Sequence, residues 1–146
     1  MSDSVRSLLN LKRWSEDEAK NFLALLMKDL SGEEERLALL EQQHAAVSVK
    51  LDGSTNGVCT IEEIRRLQDY MEHVIDRIGS QQKVVKKKQM EVDDARSRLM
   101  GASRERKTFE RLDEIHRKAD GQKKQRKEQS DADERSVSHF GRRDGR

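Results

Sequence analysis

The side chains that could hold a metal or carry covalent catalysis are few and far apart in this 146-residue chain. The histidines are His44, His73, His116 and His139. No two of them stand four residues apart, and no cysteine joins them at the spacing a zinc site needs. Cys59 is the lone cysteine, so no disulfide or two-cysteine redox motif can form within the chain. Only the start of a helix at Thr60 offers it an electropositive setting, and an incidental small residue is the simpler reading. Acidic groups such as Asp93-Asp94 and Glu33-Glu34-Glu35 read as solvated faces. There is no glycine-rich phosphate loop. The basic run Lys83, Lys86, Lys87, Lys88 could meet a phosphate backbone, but no aromatic residue accompanies it for stacking and acids follow at once. Trp14, the one tryptophan, suits an interface anchor and equally suits packing on the far end of a second helix.

Catalytic triads and ligand sites need a pocket to hold their geometry, so the next question is whether this composition can build one. Hydrophobic residues make up 33% of the chain and charged residues 40%, with three Phe, one Tyr and one Trp. That is too little apolar material for a layered core. It is about right for a two-helix seam, which buries two positions in seven. Proline is absent where about seven would be average, as expected of a chain made of long helices. The expectation is therefore a chain that is not an enzyme and holds no metal or cofactor. A single cysteine suits a reducing cytosol. No apolar run approaches the ~20 residues of a membrane span, and the start Met1-Ser2-Asp3-Ser4 lacks a secretory signal pattern.

Heptad periodicity is clearest after Thr60. Its a positions are Ile64, Met71, Ile78, Val85, Val92, Leu99 and Arg106; its d positions are Leu67, Val74, Gln81, Lys88, Ala95, Ala102 and Phe109. Eleven of these fourteen are apolar, which argues coiled coil. Thr60-Ile61-Glu62-Glu63 is a capping box opening this helix. The stretch Leu51 to Cys59, with Gly53, Asn56 and Gly57, is a turn. The first arm carries two frames: Leu8, Leu11, Ser15, Glu18, Phe22 and Leu25, then Leu30, Leu37, Leu40, His44, Val47 and Leu51, shifted by one residue near Met27 to Gly32.

The fold predicted is all-α: two long helices in an antiparallel coiled-coil hairpin, the second helix longer, with a frayed basic C-terminal tail. Residues 1–128 form one domain, with helix 1 over about 3–51, a turn at 52–59 and helix 2 over about 60–128; residues 129–146 are a flexible tail. A turn centred near residues 55 and 56 pairs Leu37 with Val74 and Leu8 with Ala102 or Ser103, along arms of about 70 Å. Residues from about 109 onward then overhang. Gly121 ends the apolar pattern. The stretch Arg104 to Lys127 carries ten basic and five acidic side chains, so the overhang is basic.

A thin coiled coil works by contact. Three segments resemble the FliJ family of flagellar export proteins: Val92-Asp93-Asp94-Ala95-Arg96, Lys107-Thr108-Phe109-Glu110-Arg111-Leu112, and Asp133-Glu134 in a basic tail. The length, the turn near residue 55 and the lack of proline fit as well. The resemblance implies a cytoplasmic component of the type III export apparatus, peripheral to the inner membrane at the base of the flagellum, and so tied to flagellum biogenesis and chemotaxis. It implies a stalk that inserts into the hexameric export ATPase and promotes its assembly and activity. It also implies contact with the cytoplasmic domain of the export-gate membrane protein and escort of export chaperones. On this basis Arg104, Arg106, Lys107, Phe109, Arg111, Leu112, Arg117 and Lys118 are expected to face the ATPase, and Leu40, Gln43, Tyr70 and Val74 the gate. Leu40 and Val74 also read as seam residues.

Two other readings compete. One is the injectisome counterpart of the same family. The other is a nucleic-acid- or ribosome-associated basic coiled coil, whose binding would fall steeply with salt; a net charge of only +2 argues against it. A parallel homodimer would leave the turn and capping box without purpose. A monomeric hairpin is expected, with self-association through the overhang as its alternative.

Overall fold

The computed structural model describes residues 2–54, 57 and 60–144, with the side chains of Ser2, Ser54 and residues 142–144 excluded. Among the described residues there are two helices and no strand: α1, Ser2–Ser54, and α2, Ile61–Asp144. They pack against each other as an antiparallel helical hairpin. Of the predicted turn, Asp52, Gly53 and Ser54 belong to α1, while Thr55, Asn56, Val58 and Cys59 lie outside the described residues, as do Gly145 and Arg146.

The start of α2 follows the capping prediction. The Glu63 N–H donates to Thr60 Oγ1 at 3.3 Å, and the Ile64 N–H donates to the Thr60 carbonyl at 3.2 Å. Glu62 and Glu63 in the first turn favour the positive end of the helix dipole. All fourteen predicted a and d positions of α2 are buried or half-buried, and the same frame runs on through buried Asp113 and half-buried His116.

α1 departs from its prediction. Its covered positions are Val5, Leu9, Lys12, Glu16, Ala19, Leu23, Leu26, Leu30, Glu33, Leu37, Leu40, His44, Val47 and Leu51, with Ser48 beside Val47. That is one unbroken alternation of four- and three-residue steps, so there is no slip at Met27 to Gly32. The predicted N-terminal frame, Leu8, Leu11, Ser15, Glu18, Phe22 and Leu25, is exposed throughout. An uninterrupted helix keeps its stripe in phase with the partner's seam. Charged residues at Lys12 and Glu16 are tolerated there because α2 supplies counter-charges.

The chain divides into two compact units. The first to consider spans Glu18–Met100 and includes the connection between the helices. Its core is Leu30, Val47, Val74, Val92 and Ala95, with Val74 and Val92 fully buried. Polar Gln81 is satisfied within the seam: its Nε2 donates to the Glu33 carbonyl at 3.0 Å and to Glu33 Oε2 at 2.6 Å. The predicted register put Glu33 beside Ile78. The observed partner lies further along because α1 continues to Ser54 and α2 begins only at Ile61.

The other unit joins Met1–Asp17 to Gly101–Arg146. Here Lys12 meets Glu105, where the predicted register put it beside Leu99. The overhang is correspondingly shorter than expected. Asp3 and Arg6 share a groove with Asp113, Arg117 and Asp120, so α2 is still accompanied well past residue 109 and loses its partner only beyond Asp120. Every described side chain of residues 121–141 is exposed. α2 nevertheless runs helically through Gly121 and Ser130 to Asp144, past the predicted boundary at 128. A mid-helix glycine costs only about 1 kcal/mol against alanine, and the Lys, Arg, Gln and Glu that follow are good helix formers.

Candidate partner-binding surface

Lys12 and Glu16 stand on the covered face of α1, and Arg106, Phe109 and Asp113 on that of α2. Glu16 is only 5% exposed. A buried carboxylate needs a charged, hydrogen-bonded partner, and the Arg106 Nε–H supplies it through a short bond. Arg106 Nη1 also reaches Glu110 Oε2 at 2.9 Å, and Arg13 Nη2 lies 3.6 Å from Glu110 Oε1. Hydrogen bonds to Glu16 first and Glu110 second hold the Arg106 guanidinium above its usual range. Lys12 Nζ sits 2.8 Å from Glu105 Oε2 and 5.6 Å from the centre of the Phe109 ring, a cation–π arrangement. Arg117 Nε pairs with Asp113 Oδ2 at 3.3 Å. Among the described residues no buried side-chain nitrogen or oxygen lacks a hydrogen-bond partner.

These contacts sort the residues expected at the ATPase. Arg106 and Phe109 are drawn into the seam, where they hold α1 to α2. Arg104, Lys107, Arg111 and Lys118 are exposed on the outside of α2, and Leu112 is 40% exposed beside them. Lys118 Nζ lies 3.8 Å from Glu114 Oε1, one helical turn away, and Arg117 is exposed apart from its pairing with Asp113. Arg104, Arg111 and Lys118 recur every seventh residue, so they form a basic line along one face of α2. Leu8, Leu11 and Trp14 of α1, and Ile115 of α2, are exposed apolar side chains of the same unit. Trp14 is 61% exposed, so the second helix does not bury it.

The residues expected at the gate lie in the Glu18–Met100 unit and separate in the same way. Val74 is fully buried and belongs to the core. Leu40 is half-buried and lines a shallow groove with His73, Asp76, Arg77, Ser80, Gln81 and Val84. Gln43 and Tyr70 are exposed. Both precede a seam position by one residue (His44 and Met71), which places them on the same flank of an antiparallel pair.

His44 and His116 are half-buried on the seam, and His73 and His139 are exposed; no group of three potential metal ligands occurs among the described residues. Lys83, Lys86 and Lys87 are solvated, and Lys88 pairs with Glu91 at 3.4 Å. No helix is long and apolar enough to cross a membrane among the described residues. Glu16 and Lys12 were missed from the sequence because the apolar count favoured Leu8 and Leu11. Stepping back from Leu30 by alternate fours and threes would have found them.

The fold has a solved counterpart. A structure titled as a putative YscO homolog, CT670, from Chlamydia trachomatis superimposes with a TM-score of 0.80 at 17% identity, over 97% of this chain and 88% of that one. No curated protein matches the sequence. The family model described as "Flagellar FliJ protein" matches residues 1–145, nearly the whole chain. With two helices, a seam of heptads and a full-length match, the chain belongs to the flagellar FliJ family.

Proposed function

We propose that this chain is the stalk of a flagellar type III export apparatus, binding the hexameric export ATPase through the outer face of the Met1–Asp17 and Gly101–Arg146 unit. The observation that carries the proposal is the division of labour in that unit. Arg106, Glu16, Lys12 and Phe109 lock the two helices together, which leaves Arg104, Lys107, Arg111, Leu112 and Lys118 on the outside as a basic, partly apolar face. Such a face suits an acidic or polar partner by charge complementarity, with Leu112 as an apolar grip. The solvated tail beyond Asp120 extends the same basic character, and its predicted flexibility would suit ordering on a partner. Contact with the export gate is assigned to Gln43, Tyr70 and the edge of Leu40, with export chaperones as further partners and a cytoplasmic position at the flagellar base.

The test is the hydrolysis rate and hexamer formation of the cognate export ATPase with and without the chain. Wild type is expected to raise both. Arg104→Glu with Lys107→Glu and Arg111→Glu is expected to abolish the effect while leaving helicity intact. No stimulation and no binding by wild type would sink the stalk proposal.

Likeness to the YscO homolog favours a second reading, the counterpart in a virulence secretion system. Restoring motility to a flagellar export mutant supports the first; restoring only effector secretion to an injectisome mutant supports the second.

A further inference from the structure

We propose that the Glu18–Met100 unit contains a bending joint, built from Ser31-Gly32 of α1, Gly79-Ser80 of α2 and the polar seam layer of Glu33 and Gln81 between them. The level of the joint is fixed by the Gln81 side chain, whose Nε2 donates to the Glu33 carbonyl at 3.0 Å and to Glu33 Oε2 at 2.6 Å. Gly32 precedes Glu33 by one residue and Gly79 precedes Gln81 by two. In an antiparallel pair the two glycines therefore stand within about one helical turn of each other along the axis. α1 holds no other glycine before Gly53, and α2 none between Ile61 and Met100 besides Gly79. This is the one level of the unit, among the described residues, at which both helices carry glycine.

Neither packing nor backbone conformation requires these glycines. No glycine among the described residues has a positive φ, and a Cβ added at Gly32 or Gly79 would meet nothing within 4 Å. Alanine would fit at both positions and favour helix about fivefold at each. What glycine leaves is a weak point in each helix. Adjacent glycine and serine are a common seat of kinks in long helices, and so is a side chain that enters the backbone ladder. Both occur here. The Glu33 carbonyl, which in a regular helix accepts from the Leu37 N–H, also accepts from Gln81. The seam yields at the same level. Leu30 on one side and Val74 on the other are buried, and close-packed apolar layers resist distortion. The Gln81 amide can shift between its two Glu33 oxygens and keep a hydrogen bond. Both helices run unbroken through the joint, so bending there is a change within the folded unit. It lets the unit change direction under load from a bound partner while the layers on either side stay packed.

The test uses the full-length chain carrying Cys59→Ser, with spin labels on Ala24→Cys and Ala45→Cys. Both positions are exposed, and a straight helix puts them about 32 Å apart at 1.5 Å per residue. Double electron–electron resonance reads their separation, and amide hydrogen exchange of the unlabelled chain is followed in parallel. A broad distance distribution is expected, which Gly32→Ala with Gly79→Ala narrows to one sharp distance. Gln81→Leu, which trades the hydrogen bonds for an apolar layer, should narrow it in part. Gly101→Ala gives α2 the same gain in helix propensity away from the joint and should leave the distribution unchanged. Amides of residues 33–37 and 80–84 should exchange at least about tenfold faster than those around Val74 and Val92, and should slow about fivefold or more in the double variant. A Cβ fits at both glycines, so circular dichroism should show the double variant folded. A wild-type distribution as narrow as that of the double variant would overturn the proposal, as would joint amides as protected as those around Val92. Equal narrowing by Gly101→Ala would assign the effect to general helix propensity and overturn it equally.

Discussion

At Arg106 a single guanidinium answers two carboxylates, one of them buried. Removing it takes the Arg106 ion pair away from buried Glu16, whereas removing exposed Arg104 does not. Arg106→Met is therefore expected to lower Tm clearly more than Arg104→Met. The double variant Arg106→Met with Glu16→Met should recover part of the loss, because an apolar pair costs less than a buried carboxylate that has lost its guanidinium. The pH dependence has a definite sign. A group whose pKa is raised on folding contributes stability below its unfolded value and loses it only as pH climbs through the folded one. Arg106 is held above the arginine range, so its contribution should stay flat between roughly pH 6 and 9; thermal melts of wild type and Arg106→Met across that window check this. Packing makes a second residue-scale contrast. Val92 is fully buried and Leu25 is not. In urea unfolding Val92→Ala should cost about 2 kcal/mol, while Leu25→Ala should stay within about 0.5 kcal/mol of wild type.

At the scale of elements, α2 was legible because its seam is apolar in eleven of fourteen predicted positions and its start carries Thr60 and Glu63 at capping spacing. Thr60→Ala should cost about 1 kcal/mol in the same urea assay. α1 was less legible. Its true stripe contains Lys12, Glu16 and Glu33, while Leu8, Leu11, Phe22 and Leu25 lie outside it, so hydrophobicity alone pointed one residue away. The information was nevertheless present in the phase of Leu30, Leu37, Leu40 and Val47. The register was also hidden, because it depends on where the connection closes, and Asp52 to Ser54 extend the helix instead of turning. Phe109 and Arg106 were read as a docking face for the same reason, since the overhang was placed too early. The end of α2 is a different case. Residues 121–141 are helical yet wholly exposed, and helices of this length without tertiary packing are marginal. Hydrogen exchange should show amides there opening far faster than those around Val92.

For the whole molecule, the near balance of charge, 30 basic against 28 acidic residues, matters more than any local run. A type III export-associated protein of the FliJ family needs to meet protein partners selectively, and a net charge of +2 spread over interleaved signs gives little general attraction to polyanions. Binding to duplex DNA or structured RNA is therefore expected to be weak and to show a shallow salt slope; a slope corresponding to about six or more phosphate contacts would instead favour a nucleic-acid partner.

The central claim is that the seam of the terminal unit is structural and its outer basic face engages the ATPase. A photo-crosslinking amino acid placed at Leu112, and in a separate sample at Val92, tests it most directly in the presence of the cognate export ATPase. Adducts to the ATPase at position 112 and none at the buried position 92 are the predicted result. The absence of ATPase adducts at 112, with the chain folded and the ATPase assembled, would contradict the account.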